Sequence, residues 1–230
     1  MEAHDGLVTE PAPTPRDRPL LDFEVRNVTP VAHAAAPTLR FELAIDEGSE
    51  REIFTIALSV SIEIQPAQRR YDPETRERLV ELLGDPQKIG APTRTMHWTR
   101  LGVLVPAFTG STTVGVDVLC NYDLEIGATS YFHAVEDGEV PLAFNFNGSV
   151  YYQGDDGRLQ IVQVDWDSHA SYRMPVQAWK RMIEMHYPFR DWLALHTETL
   201  EALRRRRSER GLPTYDATVA ELLRETEDAR

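Results

Sequence analysis

The chain has 230 residues, a formal net charge of −13 and one cysteine. That length holds one good-sized domain or two small ones. The charge argues against a nucleic-acid or anionic-membrane partner, because like charges repel. A single cysteine excludes an intramolecular disulfide, and no apolar run approaches the ~20 residues that span a bilayer.

Met1 to Pro19 carries four prolines among small and charged residues and lacks the apolar stretch of a secretory signal. It is expected to be a disordered tail, and the location is expected to be cytoplasmic. Leu21, Phe23 and Val25 share one face of a first strand. Leu39, Phe41, Leu43 and Ile45 share one face of a second, and Phe54, Ile56, Leu58, Val60, Ile62 and Ile64 one face of a third. Asp46, Glu47 and Gly48 supply the turn between the last two.

Asp72 is placed as an N-cap ahead of Pro73 and Glu74, so a helix with Leu79, Leu82 and Leu83 on its apolar edge follows, ended by Gly84 and Pro86. The Gly-, Pro- and Thr-rich stretch from Asp85 to Ser111 reads as a long connection.

From Thr112 to Ile126 the even positions are Thr112, Val114, Val116, Val118, Cys120, Tyr122, Leu124 and Ile126, and the odd positions are mostly polar. This alternation predicts a long strand with one buried face, on which Cys120 is a small buried hydrophobe. A strand through Tyr131 to Val135 is expected next, then a turn at Asp137-Gly138. A long strand with Leu142, Phe144, Phe146, Gly148, Val150 and Tyr152 on one face follows. After a turn at Asp156-Gly157, the returning strand places Val162, Val164 and Trp166 on one side.

Helical periodicity takes over after Pro175, with Val176, Trp179, Met182, Ile183 and His186 on one face. A second helix runs from about Phe189 to Arg210, and a third is capped by Thr214. The fold expected is mainly β, an antiparallel two-layer β-sandwich of seven or eight strands with a helical C-terminal segment. Its parts are a tail over 1–19, the sandwich over 20–174 with a helix-and-loop insertion at 72–111, and C-terminal helices over 175–230 packed on the sandwich.

No Gly-x-Ser-x-Gly elbow and no Gly-Lys-Ser/Thr phosphate loop occurs. The densest polar cluster is Asp165-Trp166-Asp167-Ser168-His169 at a strand end. With His97 and His133 brought in by the fold, Asp165, Asp167 and His169 form the candidate metal-ligand set, since carboxylate and imidazole suit divalent ions. The acidic stripe Asp117, Asn121, Asp123 and Glu125 reads as a solvated face. Arg204 to Arg207 fan out by about 100° per residue, so they make no single patch. Trp98, Tyr151 and Trp166 are candidates for stacking on a small ligand. Trp179, Met182, Arg190 and Trp192 have the composition of a protein-binding hot spot. No cofactor is indicated.

Several segments together resemble a known family. They are Arg69-Arg70-Tyr71, Pro106-Ala107-Phe108-Thr109-Gly110-Ser111-Thr112, Cys120-Asn121-Tyr122-Asp123, Tyr131-Phe132-His133-Ala134, Asp137-Gly138-Glu139-Val140-Pro141-Leu142 and Gly211-Leu212-Pro213-Thr214-Tyr215-Asp216. The family is one of high-GC bacterial proteins, a domain of unknown function, and the likeness runs from about Leu21 to Leu223. Its genes often lie near those for nickel–iron hydrogenase subunits and maturation factors. The resemblance therefore implies an accessory or assembly protein that binds a hydrogenase subunit or maturation factor. The alternative is a metal- or small-ligand-binding protein, or an enzyme, with its site at the strand ends.

Overall fold

The computed structural model describes residues 18–83, 95–120, 126–188 and 195–228. The chain divides into two compact units, Met1–Phe189 and Arg190–Arg230. The first is an antiparallel β-sandwich. One layer is a three-stranded sheet in the order β1 (Leu21–Pro30), β2 (Thr38–Glu47), β6 (Ser111–Leu119). The other is a six-stranded sheet built on β4 (Met96–Val105), β3 (Glu52–Ile64) and β7 (Glu139–Gln153). In it, β5 (Phe108–Thr109) pairs with β3, while β8 (Leu159–Gln163) and β9 (His169–Pro175) both pair with β7.

The alternation that predicts these strands is the alternation that fills the core. Leu39, Phe41, Leu43 and Ile45 from β2 are buried, as are Ile56, Leu58, Val60, Ile62 and Ile64 from β3 and Leu142, Phe144, Phe146, Val150 and Tyr152 from β7. Aromatic rings join the two layers. Phe23 stacks on Phe146 with centroids 4.5 Å apart, and Phe41 meets Phe144 edge-on at 5.2 Å. Such pairs add about 0.5–1.5 kcal/mol beyond their burial. Phe54 is the exception to the β3 pattern. A bulge between Ile53 and Thr55 shifts the register, and Phe54 lies exposed.

A buried carboxylate closes the β2–β3 turn. Glu47 accepts the backbone N–H of Leu20 at 3.1 Å and of Arg51 at 2.6 Å, and the Ser49 hydroxyl donates to it as well. Its own backbone N–H donates to the Gly110 carbonyl. One residue therefore ties the start of β1, the turn and the start of β6 together.

Three expectations are corrected. The stretch from Asp85 to Ser111 is not a plain connection, because it contains β4 and β5. Tyr131 to Val135 is not a strand: α2 (Ile126–Ala134) buries Ala128, Tyr131, Phe132 and, just past its end, Val135, a spacing of three, four and seven residues. The strand from Thr112 stops at Leu119, and residues 121–125, with the expected acidic stripe beyond Asp117, lie outside the described residues. So do most of the expected N-terminal tail and residues 84–94.

α1 (Pro73–Leu83) starts where its capping residue predicts, with the Thr75 N–H donating to Asp72 Oδ1 at 2.8 Å. α3 (Val176–His186) follows β9 directly and buries Val176, Ala178, Trp179, Met182 and Ile183 in the sandwich unit. Among the described residues, no helix is long and apolar enough to cross a membrane.

The second unit holds α4 (Thr197–Arg210) and α5 (Tyr215–Asp228). Gly211, at φ +64°, ends α4, and the Thr214 hydroxyl caps α5 by accepting the Ala217 N–H at 3.1 Å. The arginine run disperses as its helical spacing requires. Arg204 pairs with Glu201, Arg206 with Glu221 and Glu225, and Arg207 lies over the Tyr215 ring.

Candidate docking surface

The outer face of the six-stranded sheet is built by the residues that alternate with the core. Register places Leu104 of β4 beside Ala57 of β3, Ala57 beside Ser149 of β7, and Ser149 beside Gln163 of β8. The next row runs Thr55, Tyr151, Ile161, with Leu159 beyond. Leu104 is 73% exposed, Leu159 58% and Ile161 53%. Tyr151 is half-buried. Leu104, Tyr151, Ile161 and Leu159 therefore share one outer face across four strands, set among Thr55, Ala57, Ser149 and Gln163, and exposed apolar groups gathered on one face mark interaction sites. Towards the other end the face turns polar, with Arg100, Asn145, His169 and Arg173.

β8 and β9 lie in line along the same side of β7, separated by a turn at residues 164–168. Backbone bonds from Val164 N to the Gly148 carbonyl and from Phe146 N to the Ser168 carbonyl pin both ends of it, and Ser168 N donates to the Asp165 carbonyl inside it. The turn throws Trp166 outward, 93% exposed. This corrects the expectation that Trp166 continues the buried face of Val162 and Val164.

The candidate metal ligands do not converge. Asp165 and Asp167 lie in this turn and His169 opens β9 just after it, its Nδ1 donating to the Asp167 carbonyl at 2.7 Å. His97 sits on β4 opposite Glu63, three strand spacings or roughly 14 Å from β9. His133 is on α2, its ring edge-on to Trp179 at 4.8 Å. Among the described residues, no group of three or more His, Cys, Asp or Glu side chains is placed to hold a metal ion.

The partner-binding candidates also divide. Trp179 and Met182 are 2% and 0% exposed, and Trp179 stacks on Phe132 at 5.4 Å, so neither presents a surface to a partner. Arg190 and Trp192 lie outside the described residues. Of the stacking candidates, Trp98 is buried between the sheets, whereas Tyr151 and Trp166 are outside, so the three share no groove.

Three of the segments that carry the family resemblance meet in one cluster. Tyr71 and Tyr131 share a hydroxyl–hydroxyl bond of 2.6 Å, and the Tyr71 hydroxyl lies 2.9 Å from the Pro66 carbonyl. The Arg69 guanidinium donates to the carbonyls of Asp137 and Glu139. It packs against Gly138, whose φ of +80° disfavours any other residue. Burial pushes the Tyr131 hydroxyl far above the ordinary phenol range, and burial raises Tyr71 as well. Both stay protonated near neutral pH, so the cluster locks α1, α2 and the turn before β7 in place and offers no base. The three-stranded sheet has a shallow depression of about 460 Å³ lined by Asp22, Glu24, Asp46, Ser111 and Thr113. It is polar and solvated.

The sequence of residues 18–230 matches the family of unknown function DUF6084. The chain belongs to that family. No curated protein matches it. Among solved structures, the CARDB domain of a Pyrococcus furiosus protein, determined with di-metal ions, shares 8% identity. The match covers 70% of this chain and 96% of that one, with a TM-score of 0.29. A putative late embryogenesis abundant protein shares 11% identity over 68% of this chain and 72% of that one, at a TM-score of 0.32. β-Glucosidase 3B from Thermotoga neapolitana, in complex with α-D-glucose, shares 11% identity over 67% of this chain and 17% of that one, at 0.26. Similarities this low carry no inference about function.

Proposed function

We propose that this protein is a non-catalytic accessory or assembly protein that binds another protein through the outer face of its larger sheet. The observation that supports this most directly is the exposed area formed by Leu104, Tyr151, Ile161 and Leu159 on the outer face of that sheet. A sheet face presenting Leu, Ile and Tyr, with no group of three or more His, Cys, Asp or Glu side chains placed to hold a metal ion among the described residues, suits docking better than metal chemistry. The resemblance to proteins encoded beside hydrogenase genes directs the search to hydrogenase subunits and maturation factors. The alternative, a metal or small ligand at the strand ends, rests only on Asp165 and Asp167 in one turn and His169 at the start of β9.

The test is affinity capture from the native host with the wild-type chain and with Leu104→Glu, read by mass spectrometry. Leu104 is exposed on β4, so its substitution leaves the core intact. The expected result is recovery of a hydrogenase subunit or maturation factor with the wild type and at least a tenfold loss with the variant. Equal recovery with both removes this face from the interface, and absence of every hydrogenase protein removes the redox assignment.

A further inference from the structure

We infer that two copies of this chain pair through the free edges of β8, joining their six-stranded sheets across a two-fold axis at Ile161. Edge strands are normally protected by charges, prolines or bulges. β1 has Asp22, Glu24 and Arg26, a bulge between Val25 and Asn27, and a terminal Pro30. β4 carries Arg100 and β9 carries Arg173. β8 reads Leu159-Gln160-Ile161-Val162-Gln163, with no charge, proline or bulge, and it pairs with β7 alone among the described strands.

Its sequence is self-complementary in the antiparallel sense. A two-fold at Ile161 sets Ile161 against the second copy's Ile161, Leu159 against its Gln163 and Gln160 against its Val162. Cross-strand β-branched pairs are favourable, and no charge meets a like charge within the strand. Just outside it, the same register sets Val164 against the second copy's Arg158, Asp165 against its Gly157, Trp166 against its Asp156 and Asp167 against its Asp155, a carboxylate that Arg51 already holds, so Arg158 reaches Trp166 as a diagonal neighbour.

Arg158 is 76% exposed, with Asp156 at 3.7 Å, and Trp166 is 93% exposed. A guanidinium over an indole ring, flanked by carboxylates, is a favourable pairing. The pairing uses the backbone edge, so Leu159 and Ile161 keep facing outward. The apolar areas of the two copies then merge into one. A separate extended segment laid on β8 gains the backbone bonds but lacks the paired Arg158 and Trp166 contacts that symmetry supplies twice.

The test uses the full chain. Light scattering should show a dimer, and Ile161→Lys, which places a charge on an exposed position of the edge, should weaken it at least tenfold. A nitroxide label on Ile161→Cys should show strong dipolar coupling to its symmetry mate, because directly opposed residues have Cβ atoms only about 4.5–5.5 Å apart. The native Cys120 is buried and does not compete. Leu104→Glu lies away from the two-fold and should leave the dimer intact, which separates this inference from the docking reading. A wild type that stays monomeric in the high micromolar range overturns the inference. So does a dimer undisturbed by Ile161→Lys, or a labelled Ile161→Cys dimer without that coupling.

Discussion

The hydroxyls of Tyr71 and Tyr131, 60 residues apart in the chain, lie 2.6 Å from each other. Tyr131 is fully buried, and Tyr71 also reaches the Pro66 carbonyl. The two substitutions are therefore unequal. Tyr71→Phe strands the Tyr131 hydroxyl and should cost about 1–3 kcal/mol, whereas Tyr131→Phe leaves Tyr71 its carbonyl and should cost about 1 kcal/mol. The double variant should lose less than the sum. Urea unfolding of the four proteins measures this, and equal, additive losses would contradict the shared bond.

Gly148 lies at φ +148° in the middle of β7, and a Cβ there falls 2.1 Å from the Ala57 carbonyl oxygen. That atom is backbone in the neighbouring strand, so only parting β3 from β7 makes room. Gly148→Ala should cost about 3 kcal/mol or more. The effect should extend to the Trp166 turn, since the Gly148 carbonyl accepts the Val164 N–H. The thermal midpoint of the variant is the measurement, and an unchanged midpoint would count against the close approach.

Glu47 accepts three donors at a site 1% exposed. Glu47→Ala strands the N–H groups of Leu20 and Arg51 and should cost about 2–4 kcal/mol. Glu47→Gln keeps one acceptor oxygen and should recover part of that. Hydrogen exchange at Leu20 and Arg51 should speed up in both variants, and unchanged exchange would mean that the carboxylate does not hold those amides.

The strand faces are legible in the sequence because a sheet with one buried side writes its burial into every second residue. Phe23, Leu39, Val60, Ile62 and Phe144 are all buried, and each is marked by alternation alone. What is not legible has physical causes. β4 is hidden because Leu104 is apolar on the outer face, so the contrast with Leu101, Val103 and Val105 is lost. α2 reads as a strand because Tyr131 and Phe132 favour strands locally, although Ala128, Tyr131, Phe132 and Val135 have helical spacing. Trp166 defies the pattern because a turn pinned by backbone bonds leaves no mark in side-chain alternation. The apolar outer-face area escapes for the same reason as β4, since it exists only once four strands are in register.

Arg40 holds Asp117 with two bonds of 2.6 Å on the outer face of the smaller sheet. The hydrogen bond from Arg40 lowers the Asp117 carboxyl below its ordinary range, with burial opposing. A folded-state pKa below the unfolded value means that the pair contributes stability above the unfolded pKa of about 3.9 and loses it as pH falls through the folded value. Both groups are about half exposed, so the effect is small and screened by salt. Asp117→Asn should flatten, without abolishing, the fall in stability between about pH 5 and pH 3. Asp72, lowered by its bonds to Thr75, still contributes there. Urea midpoints across that range for both proteins decide it, and identical slopes would mean the pair adds nothing.

Trp166 supplies a spectroscopic handle on the proposed pairing. Trp98 and Trp179 are 3% and 2% exposed, whereas Trp166 is 93% exposed. In a Trp192→Phe background, which removes the indole that lies outside the described residues, Trp166→Phe should remove in dilute solution a red-shifted, acrylamide-accessible component of the emission and leave the thermal midpoint unchanged. If copies pair through β8, the same component should become shielded as the wild-type concentration rises, and Ile161→Lys should abolish that shielding. An accessible component undiminished by Trp166→Phe would place the exposed indole elsewhere. Concentration-independent quenching in the wild type would leave Trp166 free of the second copy and count against the two-fold register.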